Sequence, residues 1–432
     1  MCDEFDGFLA AIAIKNSIQY PATSWMFSLW NLRILCAFVV KKINRGERRG
    51  RKDARRAKGT ISEGGKYALK MSLHEYFYDL VSGRNVGIVA TMLRGGLRTL
   101  EVPYSSVVSA RNFLYDRRML PMRQFPVPII SVGNLTLGGT GKSPMVAYLC
   151  RFFLEQNLRP GLVSRGYGTV KNNGTSNSVN DEFLEMSYRF PAVPHLQHPH
   201  RAKAIEQLLQ TEQVDVVILD DAFQHRQVAR NTDIVLLDAT TPFGFEHVFP
   251  RGTLREPLSS LRRADIVLLT RSDLVTEAER QKIKQRVLAI NPNVAWGEAI
   301  HVPTSLVCPL PADPGWHSAE PIESIRGKSA LAFCGIGNPE AFRDTLKRCG
   351  VHVVKLIPFP DHYGYTQHDV DKLLRTAKEL GTDLILCTMK DLVKLNRHEF
   401  ADIPLRAVSI EIQFTSGELT IELTDTPTGP QS

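Results

Sequence analysis

The stretch IISVGNLTLGGTGKSP, residues 129–144, decides the fold of this 432-residue chain. An apolar β-branched run enters a glycine-rich turn, and a helical stretch begins directly after it. Glycines let backbone N–H groups turn inward around phosphate oxygens, while the lysine and serine that follow reach a phosphate and a magnesium ion. Thr136 occupies the first glycine position of the strict pattern. The stretch predicts a phosphate-binding loop made by Gly138, Gly139, Thr140, Gly141, Lys142, Ser143 and Pro144.

An acidic motif supports this phosphate site. Residues 214–221 form an apolar run that ends in Asp220 and Asp221. Beside a phosphate loop, an acid in this position holds Mg²⁺ directly or through water; in isolation, an acidic turn is the alternative. Arg165 follows another strand-like run and is predicted to contact phosphate, with a structural turn as an equal alternative.

The apolar runs from residue 127 onward are typical of an α/β fold. Buried runs without alternation, separated by helices, indicate a parallel, doubly wound sheet. We expect a P-loop core over residues 127–324, whose last part, 302–324, is rich in Pro, His and Ser, and a smaller α/β domain over 325–432. The predicted strands are 127–132, 214–220, 234–238, 266–270, 330–335, 351–356, 384–387 and 407–412, and the predicted helices are 144–156, 201–210, 339–349 and 368–380.

The positive charge of the chain lies in its first 70 residues. They contain 14 Lys and Arg against 6 Asp and Glu, a net charge of +8 that equals the charge of the whole chain. The neutral remainder predicts no nucleic-acid partner. We expect residues 1–70 to be a disordered basic extension that is either dispensable or not translated, with Met71 as the working start. Residues 71–126 mix apolar residues with arginines and predict helices that pack in the core or lie in a membrane interface.

Composition excludes several classes of protein. With 43% hydrophobic and 23% charged residues, the chain is neither a disordered polymer, a collagen-like repeat nor a coiled-coil rod. Its seven cysteines contain no CxxC pair and indicate reduced thiols in a cytosolic compartment. His195, His198 and His200 lie near prolines without a partner acid, and we interpret them as surface histidines rather than as a metal cluster.

Further motifs surround the phosphate loop in a fixed order. They are Arg111-Asn-Phe-Leu-Tyr115, Ser164-Arg-Gly-Tyr-Gly168, Asp181-Glu182, Asp220-Asp-Ala-Phe-Gln-His-Arg226, Leu254-Arg-Glu-Pro257, Gly335-Ile-Gly337, Asp361-His-Tyr363 and Thr388-Met-Lys-Asp391. With this set, the sequence from about Met71 to about Ile421 resembles the tetraacyldisaccharide 4′-kinase family of lipid A synthesis.

The resemblance implies an ATP- and Mg²⁺-dependent transfer of the γ-phosphoryl group to the 4′-hydroxyl of a lipid-linked glucosamine disaccharide 1-phosphate. It implies a P-loop core, a smaller C-terminal domain and a cleft between them. It also implies a position on the cytoplasmic face of the bacterial inner membrane, peripheral or anchored through a helical N-terminal segment. The lipid precursor and the membrane surface are the expected partners, and no obligate protein partner is inferred.

The resemblance also assigns roles to residues. Asp181 matches the catalytic acidic residue, and His362 matches the histidine that pairs with it. The alternative is that Asp181 caps the following helix and that His362 is a structural loop residue. The other matched positions are Lys142 for phosphate and catalysis, Ser143, Asp220, Asp221 and Gln224 for the metal, and His225 and Glu256 for the lining of the site.

Two other classes of function stay open. A P-loop switch ATPase or GTPase that acts by binding a protein partner would carry a lysine just before the paired glycines, where this chain has Leu137. A catalytically inactive membrane scaffold would be expected to lack Lys142, Asp181 or Asp220, and all three are present. The kinase is therefore the favoured hypothesis.

Overall fold

The central strand of the fold, β1 (Ile129–Asn134), is buried along its whole length. In the computed structural model, which describes residues 73–166, 181–308, 319–361, 363–395 and 403–417, β1 pairs in parallel with two neighbours. These are β4 (Val216–Asp220) on one side and β5 (Thr232–Asp238) on the other. Burial on both faces explains why apolar residues dominate these three strands, with Ser131 and Asn134 as buried polar residues of β1.

The described strands form a single sheet. The remaining strands are β2 (Pro160–Ser164), β3 (His195–Gln197), β6 (Ile266–Thr270), β7 (Ala295–Val307), β8 (Ala319–Pro321), β9 (Ser329–Cys334), β10 (His352–Pro358), β11 (Leu384–Thr388) and β12 (Leu405–Ser416). Their order is β10-β9-β11-β12-β7-β6-β5-β1-β4-β2-β3, and β8 pairs with β7. The pairing is parallel except where β7 meets β12 and β8. The predicted mostly parallel α/β sheet is confirmed.

Helices cover both faces of this sheet. On one face, α3 (Lys142–Glu155) packs its apolar side against β1, β2 and β4, and on the other α5 (Arg201–Thr211) packs against the same strands. This two-sided packing is what a doubly wound sheet requires. The other α-helices are α1 (Leu73–Ser82), α2 (Ile88–Asp116), α4 (Asp181–Arg189), α6 (Glu277–Ile290), α7 (Pro339–Arg348), α8 (Gln367–Leu380) and α9 (Met389–Leu392).

Strand β7 joins the two halves of the sheet. It is 13 residues long, and it passes from parallel pairing with β6 to antiparallel pairing with β12. The predicted boundary stretch 302–324 therefore begins inside a strand. The described residues from His74 onward belong to one compact unit, and the division into domains after residue 324 stays a prediction.

The segment before β1 is formed by α1 and α2. Helix α2 is 29 residues long and contains Pro103. Within the described ranges, no helix combines the length and the apolar character needed to cross a membrane. The predicted basic extension, residues 1–70, lies outside the described residues.

Candidate active site

The phosphate loop runs from the end of β1 to the start of α3. Gly138 and Gly141 have φ angles of 109° and 90°, a region that only glycine adopts without a steric penalty. Gly141 precedes the first residue of α3, and no side chain caps this helix. The first backbone N–H groups of α3 are therefore available to an anion, as at other helices that bind phosphate.

Neighbouring segments hold the loop through its backbone. The Leu137 N–H donates to the Thr253 carbonyl over 2.7 Å. At the end of β6, the Thr270 hydroxyl donates to the Thr140 carbonyl over 2.9 Å. Two separate segments therefore hold the backbone of the loop.

His301 on β7 supports the loop from below. A Cβ atom added to Gly141 would lie 2.7 Å from the Cε1 atom of His301, so the two residues touch. Burial, with Arg271 acting in the same direction, lowers the pKa of His301 to about 4. The imidazole is therefore neutral at pH 7, and its interaction with Gly141 is one of packing.

We expect Gly141→Ala to lower the free energy of unfolding by about 1–3 kcal/mol, because alanine at a positive φ is strained and its methyl group would overlap the His301 ring. Urea unfolding of the nucleotide-free protein measures this. Gly139→Ala is the matched control, since an added Cβ there meets no atom within 4 Å. Equal losses in the two variants would contradict the packing of His301 against Gly141.

Lys142 lies between the loop and the end of β4. Its Nζ atom is 3.7 Å from Asp221 Oδ1, and its side chain is 12% exposed. The same carboxylate accepts a hydrogen bond from Arg255 Nη1 over 2.7 Å. Although burial acts against it, the charges of Lys142 and Arg255 lower the pKa of Asp221 to about 2. Asp221 is therefore ionised and holds Lys142 in place.

Asp220 has the surroundings of an ion ligand. It lies opposite Val132 of β1 in the sheet, so it ends at the same edge as the phosphate loop. Its Oδ1 atom is shielded from solvent and accepts no hydrogen bond from a described residue. Burial, together with the carboxylates of Glu182 and Asp221, raises the pKa of Asp220. A divalent cation bound beside Asp220 would favour the ionised carboxylate and so oppose this rise in its pKa.

The donor set at this edge fits magnesium. Besides Asp220, Ser143 offers a hydroxyl at the start of α3. The described residues contain no group of three or more His, Cys, Asp or Glu side chains that could hold a metal. Magnesium commonly binds through one or two protein oxygens plus substrate phosphates and waters, so such a cluster is not required.

Three other predicted site residues make contacts with neighbouring parts of the protein. Gln224 Nε2 donates to the Asn134 carbonyl at the end of β1 over 2.9 Å. His225 forms a backbone turn with Ala222, in the same loop after β4. Glu256 is buried and pairs with Arg263 over 2.8 Å. The predicted metal role of Gln224 and the site-lining roles of His225 and Glu256 stay predictions.

Asp181 is the first residue of α4 and is mostly buried. Its Oδ2 atom accepts a hydrogen bond from Lys394 Nζ over 3.0 Å, and Lys394 is only 8% exposed. The neighbouring Glu182 pairs with Lys390 of α9 over 3.5 Å. Asp181 and Lys394 therefore form an ion pair that is almost closed off from solvent.

The start of α4 lies within electrostatic range of the end of β4. Among the charges that raise the pKa of Asp220 is the carboxylate of Glu182, the residue after Asp181. The fold thus brings the Asp181–Glu182 pair near Asp220, which ends β4 beside the phosphate loop. A buried carboxylate beside a phosphate loop is an arrangement that suits phosphoryl transfer to a hydroxyl group.

The family described as tetraacyldisaccharide-1-P 4′-kinase matches residues 93–426. The chain belongs to this family. The family expected from the sequence motifs is therefore confirmed.

Relatives and a solved structure agree with this assignment. A tetraacyldisaccharide 4′-kinase of Halothermothrix orenii is 32% identical over 366 residues, which cover 80% of this chain and 95% of that protein. Another, of Syntrophus aciditrophicus, is 35% identical over 73% of this chain and 88% of that protein. The crystal structure of LpxK from Aquifex aeolicus in complex with ATP has a TM-score of 0.58 and 28% identity, over 74% of this chain and 95% of that one.

Some predicted residues of this kinase-family site remain untested, and one prediction is wrong. His362 lies outside the described residues, so its pairing with Asp181 stays a prediction. Arg165 directly follows β2, and its phosphate contact also stays a prediction. His195 is half-buried rather than fully at the surface: it lies in β3, where its Nε2 atom is 2.8 Å from the Ser164 hydroxyl, and burial lowers its pKa to about 3.

Sequence patterns do not predict three residues of this kinase-family site. Arg255 belongs to a recognised motif, but nothing local indicates that it pairs with Asp221. His301 lies in a long strand without any motif. Lys394 follows Lys390 by four residues. This helical spacing is the one local indication that the two lysines lie on the same side of the chain.

Proposed function

We propose that this protein transfers the γ-phosphoryl group of ATP to the 4′-hydroxyl of tetraacyldisaccharide 1-phosphate, giving the bisphosphorylated lipid A precursor, lipid IVA. The observation that carries the proposal is the Lys142–Asp221 pair at the phosphate loop in a chain of the tetraacyldisaccharide-1-P 4′-kinase family. A fixed positive charge at the loop stabilises the charge that develops during phosphoryl transfer. The relatives' printed activity supports the acceptor.

Ser143 and Asp220 are the residues that we propose to hold Mg²⁺. Held by these two side chains, Mg²⁺ would supply positive charge that offsets the negative charge of the phosphates. The backbone N–H groups at the start of α3 orient the phosphates, and Asp221 keeps the Lys142 ammonium directed at them. Arg255 also pairs with the Asp221 carboxylate. The negative charge of Asp221 is thus divided between two cations and neutralises the Lys142 ammonium less than it would if Lys142 were its one partner.

We propose Asp181 as the group that accepts the proton of the 4′-hydroxyl. A sugar hydroxyl is a weak nucleophile, and a positioned carboxylate that takes its proton accelerates the transfer. Asp221 has a different role, because it holds Lys142 and Arg255 beside the phosphate loop. Lys394 holds Asp181 in one orientation, and His362 is proposed to pair with it.

The acceptor lipid supports a membrane-surface location, at the cytoplasmic face of the inner membrane where ATP is present. Its acyl chains stay in the bilayer, because exposing them costs ~0.8 kcal/mol per CH₂. An exposed apolar strip, defined as Val86, Ile88, Val89 and Met92, lies at the turn into α2, with exposed fractions of 53–86%. Arg84 beside it is 81% exposed. Apolar residues next to a cation suit an interface of anionic lipid.

We expect the double substitution Ile88→Asp and Met92→Asp to weaken binding to phosphatidylglycerol-containing vesicles by about tenfold or more, since each large apolar side chain contributes ~1.5–3 kcal/mol when buried. Flotation with vesicles measures the binding. The matched control is Leu274→Asp with Val354→Asp, two exposed apolar residues elsewhere on the protein. Equal flotation of both double variants would count against the apolar strip as the attachment surface.

The proposed activity is tested directly with labelled ATP. Purified protein, Mg²⁺ and tetraacyldisaccharide 1-phosphate in detergent micelles should yield a lipid with a second, labelled phosphate. An acceptor that already carries a 4′-phosphate is the control and should remain unlabelled. ATP hydrolysis without any labelled lipid would overturn the proposed acceptor.

A further inference from the structure

Helix α1 reaches the phosphate loop through one side chain. The Tyr78 hydroxyl donates a hydrogen bond to the Leu137 carbonyl over 3.3 Å, although the two residues are 59 positions apart. The same hydroxyl would lie 3.1 Å from a Cβ atom added to Gly138. Tyr78 therefore contacts the loop at the turn where its glycines begin.

The stretch against which α1 packs holds the other side of Leu137. The Leu137 N–H donates to Thr253, which follows the stretch against which α1 packs. There Tyr78 meets Phe245 edge to face, with ring centroids 6.2 Å apart, and Phe77 lies 6.3 Å from Phe249. Both backbone polar groups of Leu137 are thus bonded, and α1 is docked on the structure that supplies one of the partners.

These two hydrogen bonds set the direction of a neighbouring N–H group. In a trans peptide the carbonyl of Leu137 and the N–H of Gly138 point in opposite directions. When Tyr78 binds the carbonyl, the Gly138 N–H points away from Tyr78, and it has no acceptor among the described residues. Burial, with a further effect of Asp238, raises the pKa of Tyr78, so its hydroxyl stays protonated and able to donate.

We propose that Tyr78 is a positioning residue for ATP, whose hydroxyl keeps the Leu137–Gly138 peptide turned so that the Gly138 N–H faces the phosphates. A carbonyl oxygen in that place would repel a phosphate anion, whereas an N–H group binds it. This inference rests on the proposed function and adds a residue from the N-terminal helix to the nucleotide site. It also links the nucleotide site to the segment that carries the apolar strip.

The test compares Tyr78→Phe with Tyr76→Phe. The first variant keeps the ring that packs on Phe245 and removes only the hydroxyl. The second removes the Tyr76 hydroxyl, which lies on the same helix and makes no hydrogen bond with any described residue. We measure the Kd of Mg-ATP by calorimetry without acceptor, and then kcat and both KM values with lipid in micelles.

We expect Tyr78→Phe to raise the Kd and the KM for ATP by about threefold to tenfold, the usual effect of one neutral hydrogen bond, with the KM for lipid unchanged. Tyr76→Phe should stay within about twofold of the parent protein. A loss confined to thermal stability, or equal ATP affinity in both variants, would overturn the inference. If the parent protein phosphorylates no lipid but Tyr78→Phe still weakens ATP binding, the proposed acceptor fails and this inference stands.

Discussion

Lys142→Ala should reduce kcat by a factor of about 10²–10³, the range typical for loss of one electrostatic donor to a developing negative charge. The fold should survive, because Asp221 keeps its 2.7 Å hydrogen bond to Arg255 when Lys142 is removed. Asp221 is then not left as a buried carboxylate without a cation, which is the usual reason for a large loss of stability. The expected phenotype is a stable protein with almost no turnover.

Steady-state lipid phosphorylation together with circular dichroism measures this result. Lys282→Ala is the matched control, a lysine removed from the exposed face of α6. It should leave kcat unchanged. A well-folded Lys142→Ala protein within about threefold of the parent would mean that the nucleotide site lies elsewhere.

Asp181→Asn should lower kcat by about 10²–10⁴, the usual range for a general base, with little change in ATP affinity. The amide keeps the shape of the carboxylate but cannot accept the proton. Lys394 loses the negative charge of its partner at 3.0 Å but still has the Asp391 carboxylate at 3.7 Å. We therefore expect the protein to remain folded. Glu279→Gln, which alters a capping carboxylate of α6, is the control for a role in helix capping alone and should leave kcat unchanged.

A double-mutant cycle tests the proposed pairing with His362. We expect His362→Ala to lose less activity than Asp181→Ala, and the double variant to be barely worse than Asp181→Ala, because residues that act as one unit give strongly non-additive losses. Fully additive losses in kcat would show that the two residues act independently. Asp181 would then have to function without the histidine.

The central strands and the phosphate loop after β1 are predictable from local sequence. The predicted strand 266–270 coincides with β6, and the predicted helix 144–156 differs from α3 by two residues at its start. Parallel strands buried on both faces must be continuous apolar runs, so their sequence reports their position directly. Glycines in the loop carry a signal of the same kind, because Gly138 and Gly141 adopt φ angles that other residues avoid.

Strand β7 is the element that local sequence describes least well. Its burial pattern is irregular, because it leaves a parallel neighbour and continues beside an antiparallel one. Its pairing with β12 joins segments that are about a hundred residues apart in sequence. Such pairing depends on the partner strand, and a strand that is exposed on parts of its length has no apolar run to announce it.

By itself, the sequence determined the phosphate loop, the pair of acids at the end of β4, the α/β class and the kinase family. Each of these depends on residue types at short spacings. The tertiary structure decided which side chains support these groups: Tyr78 on Leu137, His301 on Gly141 and Lys394 on Asp181. The Tyr78 and Lys394 contacts join residues 59 and 213 positions apart. Contacts of this kind form only when the sheet is assembled, because the free energy that holds them comes from the packing of distant elements rather than from any local preference of the chain.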